Sequence, residues 1–183
     1  MSPRSVLAHF ATGDVLRAER RHAEAIPEYE MVLELNRNSP PALQALADCK
    51  LTTGSIDEVI PLEEEAIRLS PRDPQIAVRY GSIGQVHLLQ SRIDEAISWL
   101  EKGRSANPEL RSIHALLASA YALKGETDRA STELAEARRL SADDRYSSIA
   151  RLRAIGYFGV PKIRALFEAT YLGGLRKAGM PEE

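Results

Sequence analysis

The chain has 183 residues with a formal net charge of -2; 44% of them are hydrophobic, 27% charged and only 5% aromatic. That balance excludes a disordered or membrane-embedded chain and suits a helical array forming one elongated domain over 1–183. No apolar run approaches the ~20 residues needed to cross a bilayer, and the start MSPRSVLAHFATGD lacks the uninterrupted apolar core of a secretory signal. The lone Cys49 rules out an internal disulfide, so a cytoplasmic location is expected.

From the N-terminus onward, four segments are versions of one helix. They are EAIPEYEMVLELN at 24–36, EVIPLEEEAIRLSP at 58–71, EAISWLEKGRSANP at 95–108 and RASTELAEARRLSA at 129–142. A small residue near the start of each, Ala25, Val59, Ala96 and Ala130, recurs at spacings of 34, 37 and 34. Seven residues later comes a second slim residue, Val32, Ala66, Gly103 and Ala137, on nearly the same helical face, where another helix can approach closely. The helix before each carries a large, a medium and a tiny residue: His9, Leu43, Tyr80 and His114, then Thr12, Leu46, Ile83 and Leu117, then Gly13, Ala47, Gly84 and Ala118. Such self-similarity marks helix pairs that bury their apolar faces only against neighbouring pairs. Asp57, Asp94 and Asp128 precede the small residue in three units and read as N-caps facing the helix dipole.

Between the second and third units three residues are extra, and Asp73-Pro74 reads as an N-cap followed by proline. The next helix is therefore expected to be a turn longer than its siblings. After the fourth unit the pattern predicts a helix at 145–155 with Tyr146, Ile149, Leu152 and Ile155 on one face, a break through GYFGVP, and a last helix at 161–177. That last segment places Ile163, Leu166, Phe167, Tyr171 and Leu175 on one side; the first segment is expected to cap the last pair, and the second either to cap it as well or to fold back beside Gly81, Gln85, Ala115 and Ser119, the short connection favouring the cap. Gly173-Gly174 weakens the final turn unless another helix comes close there. From Arg145 to Pro181 the chain carries +6, leaving -8 for the remainder, so the basic tail is expected to dock on an acidic array.

Signals for chemistry are absent from the sequence. There is no phosphate-binding glycine loop and no cysteine pair or HExxH spacing for a metal. His9, His87 and His114 fall in packing slots and His22 in an interhelical turn, while Glu63, Glu64 and Glu65 read as a run on a solvated helix. Cys49 stands for a small core residue. No catalytic residue, metal ligand or cofactor is expected, and without interleaved aromatics the basic tail does not read as a nucleic-acid platform.

These residues resemble the tetratricopeptide repeat, as four units at about 6–39, 40–73, 77–110 and 111–144. The resemblance implies an all-α, right-handed solenoid of antiparallel helix pairs with C-terminal capping helices. It also implies a concave groove lined by first helices, here Phe10, Asp14, Arg17, Gln44, Asp48, Leu51, Gly81, Gln85, Leu88, Ala115, Ser119 and Ala122. The lysines and asparagines with which some members grip a C-terminal carboxylate are missing from these positions, and the small, apolar lining of the last two units suits an apolar helix or extended segment. Lys50 and Glu63 depart from the family pattern, so the second unit is expected to pack least well. More narrowly, SPRDPQIAVRYGSIGQVHLLQSRIDEAISWLEKGRSANP and VPKIRALFEATYLGGLRKAGMPEE resemble the C-terminal repeat region of bacterial adenylate or guanylate cyclase-like proteins. The function expected is a non-catalytic module binding a protein or peptide, with homo-oligomerisation as the alternative. Trp99, the only tryptophan, is the candidate interface anchor, set against packing between second helices.

Overall fold

The computed structural model describes residues 3–156 and 158–183; the Ile155 side chain, expected on the first tail face, lies outside the described side chains. Among the described residues every regular element is a helix. The chain divides into two compact units, Met1–Pro74 and Gln75–Glu183.

The first unit holds α1 (Pro3–Ala18), α2 (His22–Leu35), α3 (Pro40–Thr53), a single 3-10 turn (Ile56–Glu58) and α4 (Val59–Leu69). Its core gathers Ala25, Tyr29, Ala45, Leu46 and Cys49, with Phe10, Leu16, Ile26, Leu33 and Leu62 packed around them. Gly13 is required where it stands, because a Cβ there would meet the Tyr29 ring at 2.8 Å. In α4 the buried face is Val59, Glu63 and Ala66, which corrects the reading of Glu63 as part of a solvated run. Lys50, the other departure from pattern, is 14% exposed and lies between Glu30 at 3.3 Å and Glu58 at 3.0 Å. His22 is the first residue of α2, not part of a turn.

The second unit holds α5 (Ile76–Leu89), α6 (Ile93–Ala106), α7 (Arg111–Lys124), α8 (Thr127–Leu140), α9 (Ile149–Ile155), α10 (Pro161–Phe167), a π turn (Glu168–Leu172) and α11 (Gly173–Lys177). The small residues that set the repeat, Ala96, Ala130 and Ala137, are fully buried. Gly84 and Gly103 sit at the tightest contacts, where a Cβ would come within 2.6 Å of Leu100 and Ile113 respectively.

Four pairs close in the same way. Gly54 and Gly125 adopt left-handed φ values of 104° and 91°, and the equivalent positions Arg20 and Ser91 do so at 62° and 59°. The next residue then bonds back across the helix end, as in Ser55 N to Lys50 O at 2.9 Å and Arg92 N to His87 O at 2.8 Å. This closure lets α6 and α8 start at Ile93 and Thr127, so Asp94 and Asp128 lie inside the first turn. Arg92 and Glu126 are the N-caps, without a side-chain bond, and Asp57 lies in the 3-10 turn. The carboxylates still meet the positive helix end but do not cap it.

Two further expectations are corrected. α5 has 14 residues like α3, α6 and α7, and Asp73-Pro74 lies ahead of it, so the extra residues lengthen a connection and not a helix. The first tail helix begins only at Ile149. Ser148 caps it, its hydroxyl accepting from Arg151 N at 3.1 Å, while the Ile149 and Ala150 amides donate to Pro181 O and Glu182 O at 2.9 Å each. The end of the chain thus satisfies donors that the helix itself leaves open.

The last helix reaches Ser119, one of the positions expected as the alternative to a cap. α11 packs on α7, and the π turn packs on α5 and α7, all of them first helices of their pairs. It lies on the first helices of the last two pairs, α7 being part of the last pair itself. Gly174 makes this possible: a Cβ there would meet Ser119 Oγ at 2.1 Å and Ser119 O at 2.5 Å. Its charges are met mostly within the tail, since Arg153 donates to both oxygens of Glu168 at 2.7 Å and Arg176 reaches Glu168 and Glu182. Arg145 and Arg151 pair with Asp143 and Asp144 in the preceding connection.

Candidate functional site

The groove positions separate according to unit. In the first unit, Phe10, Asp14 and Arg17 of α1 and Gln44 and Asp48 of α3 come together around an open pocket of about 230 Å³. Pro41 and Ala45 complete its wall. Leu51, one turn further along α3, is buried.

The polar side of this pocket is a short network. Tyr29 Oη donates to Asp14 Oδ1 at 2.8 Å, and Arg17 donates through Nε to Tyr29 Oη and through Nη2 to Asp14 Oδ1, both at 3.3 Å. Arg17 Nη1 then lies 3.7 Å from Asp48 Oδ2. Burial, with the Asp14 hydrogen bond, pushes the Tyr29 hydroxyl pKa well up, so it stays a donor. Asp48 keeps 42% of its side chain exposed, yet the concave wall around it removes solvent and raises its carboxyl to about 6 against the pull of Arg17. Behind the pocket, Cys49 Sγ lies 3.8 Å from His22 Nδ1. Burial, followed by the Asp48 charge, pushes the Cys49 thiol up to about 11, which leaves it protonated and a poor nucleophile.

In the second unit the remaining positions are covered. Gly81, Leu88, Ala115, Ser119 and Ala122 are buried, and Gln85 is half-buried. Ser119 Oγ donates to Thr170 O at 3.3 Å, inside the contact with the last helix. A Cβ on Gly81 would meet Ile113 at 3.4 Å, so that position faces α7. The covering segment also buries Tyr171, whose hydroxyl bonds to Tyr146 and whose pKa burial drives well up.

Trp99 is half-buried on α6, its ring 5.7 Å from Tyr80 of α5 and covered by Lys102 Nζ at 4.0 Å. The same slot recurs in other pairs. His9 bonds to Glu28 at 2.7 Å, and His114 to Glu133 at 2.6 Å, each pair 19 residues apart like Tyr80 and Trp99. Sequence reading missed this coupling, although the signal was there: the two positions are Leu43 and Leu62 in the second unit, changing character together. His114 also meets Pro108 O at 2.8 Å, and acceptors on both ring nitrogens favour the protonated ring, its pKa raised chiefly by Glu133. Arg104 shares Glu133.

Among the described residues, no group of three or more His, Cys, Asp or Glu side chains is placed to hold a metal ion, and no helix is long and apolar enough to cross a membrane.

A family model for the tetratricopeptide repeat matches residues 1–42. The solved structure of MamA is 19% identical, with a TM-score of 0.66 over 97% of this chain and 91% of that one. PilF of Pseudomonas aeruginosa is 18% identical, with a TM-score of 0.71 over 93% and 74% of the two chains. The fold is that of a tetratricopeptide-repeat solenoid. YrrB, described as a tetratricopeptide protein with an unusual peptide-binding site, is 15% identical, with a TM-score of 0.60 over 93% and 82%. None of the curated proteins matches. Within the tetratricopeptide fold, the pocket of the first unit lies on first helices, as do the contacts of the last helix in the second.

Proposed function

We propose that this chain is a non-catalytic interaction module that holds a segment of a protein or peptide on the inner face of its first unit. The observation that carries this reading is the last helix: faces of α5 and α7 already hold an amphipathic helix, while α1 and α3 leave the corresponding residues around an open pocket. A surface of this kind that buries one helix is chemically suited to another. The solved relative with a peptide-binding site supports the same class of guest. Regulation of a larger bacterial nucleotide cyclase-like protein, in the cytoplasm, stays within this proposal on the strength of sequence resemblance.

Selection from a phage-displayed random peptide library with the full chain as bait tests it. Enriched peptides should share a consensus and lose binding to Phe10→Ala, whose melting temperature is checked alongside. No enrichment over a blank surface would defeat the reading.

A second reading, self-association, is favoured by Leu7 and Val15 on α1 and Met31 on α2, which are 70%, 57% and 37% exposed. Light scattering across a concentration series separates it, since a monomer at every concentration, unchanged by Leu7→Glu, would dismiss it. Trp99→Ala in the same series tests the tryptophan as anchor.

A further inference from the structure

The pocket of the first unit has a charge imbalance that specifies its guest more narrowly. Asp14, Arg17 and Asp48 line it with two carboxylates and one guanidinium. Asp14 is the better served: it accepts from Tyr29 at 2.8 Å and from Arg17 at 3.3 Å. Among the described residues, Asp48 has Arg17 for its ion-pair partner at 3.7 Å, long for a hydrogen bond. Arg17 uses Nε for Tyr29 and Nη2 for Asp14, so its single charge is shared between the two carboxylates. One negative charge is therefore left over, on a side chain still 42% exposed and so within reach of a guest.

Part of the lining is apolar. Phe10, Pro41 and Ala45 line the pocket with Gln44 and the carboxylates, so a guest side chain needs an apolar stem and a charged head. Phe10 is also held in place, its ring 5.8 Å from that of Tyr29 in an edge-on arrangement. Lysine and arginine have this chemistry. A carboxylate guest would meet Asp14 and Asp48, and a purely apolar side chain would leave Asp48 desolvated without a partner.

We propose that the pocket between α1 and α3 receives one lysine or arginine side chain of the bound segment, with Asp48 as its counter-ion and Phe10, Pro41 and Ala45 as the wall for its stem. The inference rests on the interaction reading given above and adds the charge of the guest. The raised pKa of Asp48 agrees with it, because a cation would recover what desolvation costs that carboxylate.

The test uses the peptides recovered from the random library with the full-length protein. The expected result is a Lys or Arg at one fixed position of the consensus. Replacing it by norleucine should weaken binding to the wild type about tenfold, the worth of a charge-assisted contact, and change little with Asp48→Asn, which removes the counter-ion but keeps the side-chain volume. Asp48→Arg should select acidic residues at that position, and thermal melts of both variants report whether they fold. Peptides that bind and need Phe10 but tolerate norleucine would overturn the charge assignment and leave the interaction reading intact. A norleucine effect of equal size in Asp48→Asn would also overturn it, since another group would then be the counter-ion. Failure to recover any peptide would overturn both.

Discussion

Gly174 on α11 lies so close to Ser119 on α7 that a Cβ at residue 174 would stand 2.8 Å from the Ser119 Cα and 2.1 Å from its Oγ. Backbone is in the way, so no rotamer change relieves the clash. Gly174→Ala should destabilise the protein by roughly 1 to 3 kcal/mol, as overpacking of a close contact does. The adjacent Gly173→Ala should instead stabilise by about 0.5 to 1 kcal/mol through helix propensity, because its Cβ would meet only Glu168 O, at 3.4 Å. Chemical denaturation of the two variants checks this, and equal effects would show that α11 is not docked on Ser119.

The left-handed residues give a second prediction. Arg20 and Ser91 carry out, at φ 62° and 59°, a closure that Gly54 and Gly125 carry out in the other pairs. Ser91→Gly and Arg20→Gly should each stabilise by about 1 kcal/mol, the strain of a Cβ in that region less the entropy a glycine adds to the unfolded chain. Gly125→Ala should cost a similar amount, although nothing lies within 4 Å of its Cβ position, because the cost is conformational and not steric contact. Melting temperatures read all three.

His114 makes stability depend on pH. Its folded pKa is raised by Glu133 and by the Pro108 carbonyl, so the folded state binds the proton more tightly than the unfolded chain. The contribution is fully present below the unfolded value of about 6.5 and is lost as pH rises through the higher folded value. Stability measured upward from pH 6 should therefore contain a declining component that His114→Gln abolishes. A profile identical in the variant would mean that another group is responsible.

Removing residues 156–183 should uncover the inner faces of α5 and α7 and the partners of Ile163, Leu172 and Leu175, all fully buried. Lower melting temperature and binding of an apolar dye are expected. A truncated protein that melts unchanged and binds no dye would show the helix to be dispensable.

The repeat was legible because packing of helix on helix leaves a periodic record: Ala25, Ala96 and Ala130 are fully buried where the 34, 37, 34 spacing places them. Helix starts were legible only to within a residue or two. A closure through a left-handed residue depends on the backbone, and neither Arg20 nor Ser91 announces it by type. Glu63 was misread because hydrophilicity argues for a solvated face, whereas its place four residues after Val59 and three before Ala66 puts it on the buried one. Docking of the last helix was within reach as well. Gly173-Gly174 signalled a close approach, and the two sites open to the segment both involved the last pair, but pattern alone does not say which of its apolar faces is vacant.

A helix joined to α9 by residues 156–160 and seated on α5 and α7 acts as a tethered competitor. Its effective concentration at that face is in the millimolar range expected for a short linker, whatever the concentration of the protein. Any free peptide must compete with a rival that never diffuses away, and its apparent affinity falls by the ratio of that effective concentration to the helix's own dissociation constant. The chain carries its own occupant there, and on the function proposed above selectivity toward outside partners would be concentrated on the few residues of α1 and α3 that have no such rival.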